Sequence, residues 1–211
     1  MPDRSSQGTI VLHGTKLSGH AHRVELLLRM LGLPYQYRDS PASVRATPEF
    51  RALNPFGQIP VLQDGGLVLA DSNAILVYLA KRYDTGGEWL PEEPVVAAQV
   101  QRWLSVAAGD VRFGPSLARA VTLWGFPGDA ADGRRVADAL LRFMEGHLAE
   151  RVFLAAEHPT VADLACCSYV AHAPEGGVSL AAYPAVRAWL QRIEALPGFE
   201  PMPRSPVPAA A

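Results

Sequence analysis

The sequence predicts a small α/β domain followed by an all-helical domain, because its secondary-structure signals change along the chain. Before residue 84, short apolar or alternating runs typical of strands are interspersed with amphipathic helical patterns. After residue 94 the strand signals largely disappear and helical patterns follow one another. We therefore expect an α/β domain at 9–83, a glycine-, proline- and acid-rich linker at 84–94, and a helical domain at 95–200. The tail at 201–211 is rich in proline and alanine, so we expect it to be disordered.

The first predicted unit is a strand, a helix and a second strand. Residues 9–13 form a β-branched apolar run typical of a buried strand. The apolar face of the next helix comprises Val24, Leu27, Leu28 and Leu31. Gly32 stands where a helix commonly ends, and Pro34 blocks its continuation. Residues 35–38 then alternate apolar and polar side chains, as a strand does.

The rest of the α/β domain is predicted from turn and capping signals. Threonine, proline and glutamate at 47–49 predict the start of a short helix. Residues 59–63 and 67–70 flank an Asp-Gly-Gly turn and predict a hairpin. Asp71 and Ser72 predict the start of a further helix that runs to about residue 82.

The second half of the chain contains four predicted helices, at 95–113, 132–150, 160–173 and 184–196. At the start of the third, Thr160 and Asp163 have the spacing of a capping box, in which each side chain binds a free backbone N–H of the other residue. We therefore expect both to stabilise the fold.

Composition excludes several classes of protein. The chain has 211 residues, 49% of them hydrophobic, which is enough to bury a core. Its net charge of −2 argues against nucleic-acid binding. No run approaches the roughly 20 apolar residues of a membrane span, so we expect a cytoplasmic protein without membrane partners. The adjacent Cys166 and Cys167 cannot form an ordinary disulfide, and we expect buried thiols.

Three segments carry residue types suited to a peptide-like ligand. Ser18 lies near the start of a helix, where unpaired N–H groups favour negative charge, although taken alone it is better explained as a plain helix cap. The Ile59-Pro60 bond lies between a turn and a strand, where a cis peptide would leave the Ile59 backbone free to pair with an extended ligand. Asp71 and Ser72 add a carboxylate and a hydroxyl suited to an ammonium and a carboxylate.

With these residues in view, the chain resembles the cytosolic glutathione transferase family from residue 9 to about residue 199. Segments 54–62 and 71–80 follow the family's glutathione-binding segments, and 160–164 follows its folding motif. The resemblance implies a thioredoxin-like N-terminal domain, an all-helical C-terminal domain and a homodimer. It also implies glutathione as co-substrate.

The resemblance implies roles for individual residues. Ile59 would pair with the cysteinyl backbone of glutathione, and Gln58 would lie near the tripeptide. Asp71 and Ser72 would hold its γ-glutamyl end. The first loop resembles that of bacterial, serine-type members, which place their catalytic hydroxyl where Ser18 stands.

Other positions near the first loop remain alternatives. Thr15 carries a second hydroxyl in the same loop and competes with Ser18 for the thiolate. His20 is either a second donor near the thiolate or a surface histidine. His20 and His22 lie two residues apart on a helix and point to different faces, so we expect no metal site. Cysteine chemistry is not expected, because Thr15 stands where beta-class members carry their cysteine.

The remaining candidates lie further along the chain. Arg45 is the nearest equivalent of the residue that binds the glycyl carboxylate in plant serine classes. Arg112 and Phe113 stand where beta-class members have a histidine-lysine pair, and Arg112 is a candidate for binding an anionic co-substrate or glutathione. Asp110 is a candidate contact to the glutathione of a partner subunit.

Three functions are compatible with these residues. The leading one is a glutathione transferase that conjugates the tripeptide's thiol to hydrophobic electrophiles. A second is glutathione-dependent reduction of peroxides or disulfides by the same thiolate. A third is a non-catalytic ligand carrier or interaction protein of the same fold, since fold alone does not determine function.

Overall fold

The N-terminal half is built on one mixed four-stranded sheet. The computed structural model describes residues 9–207 of the protein. The strands are β1 (Ile10–Gly14), β2 (Tyr35–Asp39), β3 (Val61–Asp64) and β4 (Leu67–Ala70), in the order β2-β1-β3-β4. β2 is parallel to β1, whereas β3 is antiparallel to both β1 and β4. The predicted β-α-β unit and hairpin are therefore confirmed.

Helices cover both faces of this sheet. They are α1 (Gly19–Met30), α2 (Ala42–Arg45), α3 (Pro48–Leu53) and α4 (Ser72–Tyr83). Leu12 points into the main core with α1 and α4, and the next residue, His13, points to the opposite face, where Phe50 of α3 packs against its ring. α2 was not predicted from the sequence, because it has four residues and buries none of them.

The C-terminal half is helical, with one irregular segment. It contains α5 (Pro94–Val106), a π-helical segment (Ala107–Ser116), α6 (Leu117–Trp124), α7 (Ala130–Leu148), α8 (Val161–Ala171), a 3-10 turn (Ala173–Gly176) and α9 (Pro184–Glu194). The helix predicted at 95–113 thus changes geometry after Val106 and breaks at Gly114 and Pro115, since proline donates no backbone hydrogen bond. α6 was not predicted: it has eight residues, and it follows the π-helical segment directly, so no turn or cap signal separates the two.

One apolar core runs through both halves, and α8 is its central helix. Residues 161–170 are all buried, and α8 packs against α1, α4 and α5. The ring of Tyr169 lies so close to Gly19 that a Cβ there would come within 2.9 Å of it. Cys166 and Cys167 are buried and unpaired, as expected, and burial raises the pKa of both thiols, that of Cys167 to about 12.

The first residues after α9 pack against the protein, contrary to the disordered tail expected from residue 201. Met202 is 2% exposed, and the backbone N–H of Ser205 donates to the carboxylate of Glu175 at 2.9 Å. Met202 is an isolated apolar residue between two prolines, so no periodic pattern indicated that it is buried. Residues 208–211 of the expected tail lie outside the described residues.

Within residues 9–207, no helix is both long and apolar enough to cross a membrane.

Candidate active site

Three segments meet at one edge of the sheet. Val61 of β3 pairs with His13 of β1 on one side and with Ala70 of β4 on the other. Continuing this register by one residue brings Pro60 between the end of β1 and the residue that follows β4. α1 begins after the loop at 15–18, and α4 begins directly after β4, so both helices start at this edge.

The Ile59-Pro60 peptide bond is cis, as the sequence analysis anticipated. The strand begins only at Val61, so Ile59 lies outside the ladder between β1 and β3. Its side chain is partly buried, whereas Pro60 is buried. The backbone of Ile59 therefore lies at the sheet edge where an extended ligand would run.

The turn before Ile59 is held by its own side chains. The Asn54 amide donates to the carbonyl of Gln58 at 2.9 Å, while the Gln58 side chain is exposed. Gly57 has φ +63°, a backbone conformation that favours glycine. Arg45 at the end of α2 approaches the Gly57 carbonyl with its Nη1 at 3.5 Å. Arg45 and Gln58 thus lie beside the same turn.

Ser18 is the N-cap residue of α1, as its position predicted. Its Oγ accepts a hydrogen bond from the N–H of Ala21 at 3.3 Å, and its own N–H donates to the carbonyl of Thr15 at 3.0 Å. Because the hydroxyl acts as an acceptor in the cap, its hydrogen remains available for a ligand. Capping and donation are therefore compatible roles for Ser18. Thr15 and Ser18 are both partly buried.

A buried ion pair fixes the loop that carries Ser18. Arg119 of α6 donates from Nη1 to the carbonyl of Leu17 at 2.8 Å and from Nε to Glu175 at 2.6 Å. The side chains of Arg119 and Glu175 are 1% and 3% exposed. These contacts were not predicted, because Arg119 is 56 positions from Glu175 and 102 positions from Leu17 in the chain.

Asp71 caps α4 in a strained conformation. Its Oδ1 accepts the N–H groups of Asn73 and Ala74, both at 2.9 Å. Asp71 has φ +76° and is the one non-glycine residue with positive φ among residues 9–207. Such conformations are costly and concentrate at functional sites. The side chain is exposed, and both hydrogen bonds of the cap use Oδ1, which leaves Oδ2 available to a cation.

Ser72 lies beneath Asp71, between two basic side chains from α1. Nη1 of Arg23 donates to Ser72 Oγ at 3.4 Å and to Asn73 Oδ1 at 3.1 Å. Nδ1 of His20 lies 3.5 Å from the same hydroxyl. The His20 ring packs edge to face against Tyr169, with centroids 4.9 Å apart, so it is not a surface histidine. Arg23 is a site residue that sequence analysis missed.

His20 is held neutral at pH 7. Burial lowers its pKa well below the ordinary value, and the positive charges of Arg23 and Arg112 lower it further. Arg112 and Phe113 are exposed, with the guanidinium 5.6 Å from the Phe113 ring, and Asp110 is exposed on the same segment.

The two histidines of α1 have different neighbours. His22 Nε2 donates to the carbonyl of Glu200 at 2.8 Å, so its Nδ1 accepts the hydroxyl hydrogen of Ser168, also at 2.8 Å. His20 faces Ser72 instead. In the part of the chain that the structure describes, no three histidine, cysteine or acidic residues form a group that could hold a metal ion.

Family models and relatives match both halves of the chain. The model of the glutathione S-transferase N-terminal domain matches residues 17–82, and that of the C-terminal domain matches residues 129–197. Glutathione S-transferase 3 of Zea mays is 34% identical over 220 residues, which cover 94% of this chain and 98% of the relative. Glutathione S-transferase theta-2 of Rattus norvegicus is 31% identical over 201 residues, which cover 87% of this chain and 80% of the relative.

Solved structures of the same kind share the fold. A glutathione S-transferase from Pseudomonas fluorescens Pf-5 superimposes with a TM-score of 0.85 at 33% identity, over 92% of this chain and 99% of that one. A glutathione transferase homologue from Drosophila mojavensis, solved with bound glutathione, superimposes with a TM-score of 0.78 at 28% identity, over 90% of this chain and 89% of that one.

Proposed function

The chain belongs to the glutathione S-transferase family, and from this premise we propose that it is a serine-type member that conjugates glutathione to hydrophobic electrophiles in the cytoplasm. The observation that carries the proposal is the convergence of three ligand-suited segments at one sheet edge. The N-termini of α1 and α4 lie on either side of the cis Ile59-Pro60 bond there.

We assign each of the three residues of glutathione to a position at this edge of the sheet. The backbone of Ile59 pairs with the cysteinyl residue of glutathione, and Gln58 lies beside it. Oδ2 of Asp71 takes the γ-glutamyl ammonium, since Oδ1 is already used by the helix cap. Ser72 and the N-terminus of α4 take the γ-glutamyl carboxylate. Arg45, beside the turn at Gly57, takes the carboxylate of the glycyl end.

Ser18 activates the thiol by donating a hydrogen bond to the thiolate. A free thiol with a pKa of about 8.5 is mostly protonated at pH 7, and a shift of two units requires about 2.7 kcal/mol. A hydrogen bond to a charged group contributes about 1.5–3 kcal/mol. The N-terminus of α1 adds about 0.3–1 kcal/mol. Ser18 and the helix together are therefore sufficient, and the serine acts neither as a base nor as a nucleophile.

The electrophile binds between α1 and the π-helical segment. The exposed Phe113 offers an aromatic surface, and Arg112 offers a positive charge for an anionic group on the co-substrate. His20, in the first turn of α1, is neutral and adds no charge there. The thiolate sulfur attacks the electrophilic carbon, so that a carbon–sulfur bond forms and the leaving group departs with its electron pair. Thr15 remains the alternative hydroxyl for the sulfur.

A homodimer is also proposed, from the apolar surface on one side of the sheet. β4 is an edge strand, and Leu67 and Val68 on it are exposed. Beside it, an apolar groove of about 450 Å³ runs between α4 and α5, lined by Leu69, Val77 and Leu104 among others. Exposed edges and apolar patches of this kind are normally covered by a partner. Asp110 then becomes a candidate contact to the glutathione of the second subunit.

Calorimetric titration with glutathione tests the binding assignment through Asp71→Asn. Asparagine still caps a helix and tolerates positive φ, so the variant removes the charge with little effect on the fold. We expect glutathione affinity to fall about tenfold or more, because the ligand ammonium loses its charged partner. Asp129→Asn, at the exposed N-cap of α7, is the matched control and should leave binding unchanged. Equal affinity of the Asp71→Asn variant and the wild type would refute the γ-glutamyl assignment.

A panel of co-substrates tests the reaction. Turnover of aromatic or alkyl electrophiles with glutathione supports conjugation. Turnover of peroxides or disulfides alone would make the protein a glutathione-dependent reductase. Binding of glutathione without turnover of any of them would support a carrier of the same fold.

A further inference from the structure

Arg23 is a buried cation whose hydrogen-bonding capacity is mostly unused. Its side chain is 1% exposed, and the two acceptors of its Nη1 are neutral oxygens of Ser72 and Asn73. Its Nε and Nη2 are buried and have no hydrogen-bond partner among residues 9–207. Burial lowers its pKa and the charge of Asp71 raises it, but a guanidinium stays protonated in proteins. A buried charge of this kind is costly unless something pairs with it.

The position of Arg23 makes this cost more pronounced. Its guanidinium lies against Ser72, the first residue of α4, where the helix dipole is already positive. Two positive charges are thus placed together, and the cap residue Asp71 opposes them from the exposed side of the helix. Such a site favours an additional anion at the N-terminus of α4. Glutathione, by the proposed function, brings one.

We propose that Arg23 is a positioning residue for the γ-glutamyl carboxylate of glutathione and acts on it through Ser72. This inference rests on the proposed function, since it assumes that the γ-glutamyl end binds at α4. Arg23 is buried, so it affects the ligand through Ser72 and not by direct contact. It donates to Ser72 Oγ, and this donation leaves the hydroxyl hydrogen as the group that faces away from the guanidinium.

The neutral His20 completes this arrangement. Its Nδ1, 3.5 Å from Ser72 Oγ, can accept the hydroxyl hydrogen while no ligand is bound. When a carboxylate arrives, the hydrogen turns to the stronger acceptor, and the positive charge of Arg23 behind the oxygen strengthens the bond. Arg23 therefore contributes to binding only for ligands that carry the carboxylate.

Calorimetric titration of two ligands into Arg23→Gln separates this role from a structural one. The ligands are glutathione and the same tripeptide with the γ-glutamyl carboxylate replaced by hydrogen. We expect the substitution to weaken glutathione binding about tenfold and to change binding of the second ligand by less than about twofold. Arg23→Lys keeps the charge and should recover most of the lost affinity. Arg142→Gln, an exposed arginine on α7, is the control for net charge and should change neither ligand.

The outcomes are distinct. Equal weakening of both ligands, or none, overturns the role of Arg23 while the proposed function stands. Failure of the wild type to bind glutathione overturns the proposed function and this inference with it. Where Arg23→Gln does not fold, as judged by its melting curve, Arg23→Met keeps most of the side-chain volume and gives the same comparison.

Discussion

Asp163 accepts hydrogen bonds from more groups than its role as a helix cap requires, so replacing it should strongly destabilise the fold. The carboxylate is fully buried. Oδ1 accepts the N–H of Leu154 at 3.0 Å and the indole N–H of Trp189 at 2.9 Å. Oδ2 accepts the N–H of Thr160 at 2.9 Å and its hydroxyl at 3.2 Å. The capping box is therefore confirmed, and the same side chain also joins the loop before α8 to α9.

Asp163→Ala leaves three N–H groups without an acceptor. Each unsatisfied buried donor costs about 1–3 kcal/mol, so three of them cost at least about 3 kcal/mol. For a chain of this size, that corresponds to a fall of about 6–12 °C in the melting temperature. Asp129→Ala removes an exposed cap, whose Oδ1 accepts one N–H at 2.7 Å, and should cost about 1 kcal/mol.

Urea and thermal unfolding of both variants measure the difference. We expect Asp163→Ala to lose at least twice as much unfolding free energy as Asp129→Ala. Glutathione affinity of the remaining folded Asp163→Ala protein should stay close to that of the wild type, because none of the hydrogen-bond partners of Asp163 belongs to the candidate active site. A loss no greater than that of Asp129→Ala would refute the reasoning about the buried donors.

Two further predictions concern the whole protein. Burial lowers the pKa of four histidines, namely His20, His22, His147 and His172. In the unfolded chain these imidazoles take up protons near pH 6.5, whereas in the folded protein they take them up only at lower pH. The folded state is therefore most stable above pH 6.5, and it loses stability as the pH falls from there through the lowered pKa values of the folded protein. Unfolding free energy measured in urea should therefore decrease from pH 7 to pH 5, and a flat or rising profile would contradict this. For the proposed homodimer, light scattering at micromolar concentration should give twice 22.7 kDa, whereas a particle of 22.7 kDa would count against it.

The elements predicted from sequence are those whose signals are local. Gly32 has positive φ directly after α1, and Thr47 caps α3 through its hydroxyl. Asp71 caps α4, and the two glycines of the hairpin connect β3 to β4. Each of these signals depends on residues a few positions apart, so each is visible in the sequence without any knowledge of the fold.

The elements that were missed or mispredicted depend on contacts that the sequence does not display. α6 carries apolar residues at helical spacing, but it has only eight residues and buries Ala118 and Arg119 instead of that apolar face. The π-helical segment continues the helical pattern of α5, and its change of geometry comes from packing, since Gly114 lies close against Ala137 of α7. The buried Met202 gave no periodic pattern. Tertiary contacts decide all three.

In the candidate active site, too, the residues that were predicted have local sequence signals and those that were missed do not. Ser18, Asp71 and Ser72 lie at helix starts that the sequence marks. Arg23 and Arg119 do not, because their partners are 49 and 102 positions away. The one sequence feature that could have indicated the role of Arg23 is its position next to the apolar face of α1. An arginine in a surface salt bridge has the same position, so this feature does not distinguish the two.

The central claim is that the Ser18 hydroxyl stabilises the thiolate of bound glutathione. Ultraviolet absorbance of the thiolate, titrated against pH, measures the thiol pKa in the complex directly. Ser18→Gly removes the hydroxyl with only a small effect on the cap of α1, and Thr15→Val removes the alternative hydroxyl with little change of shape. We predict that the thiol pKa rises by about one to two units in Ser18→Gly, each unit being about 1.36 kcal/mol, and stays unchanged in Thr15→Val. A Ser18→Gly titration curve that overlays the wild type would contradict the account, and a shift in Thr15→Val alone would transfer the role to Thr15.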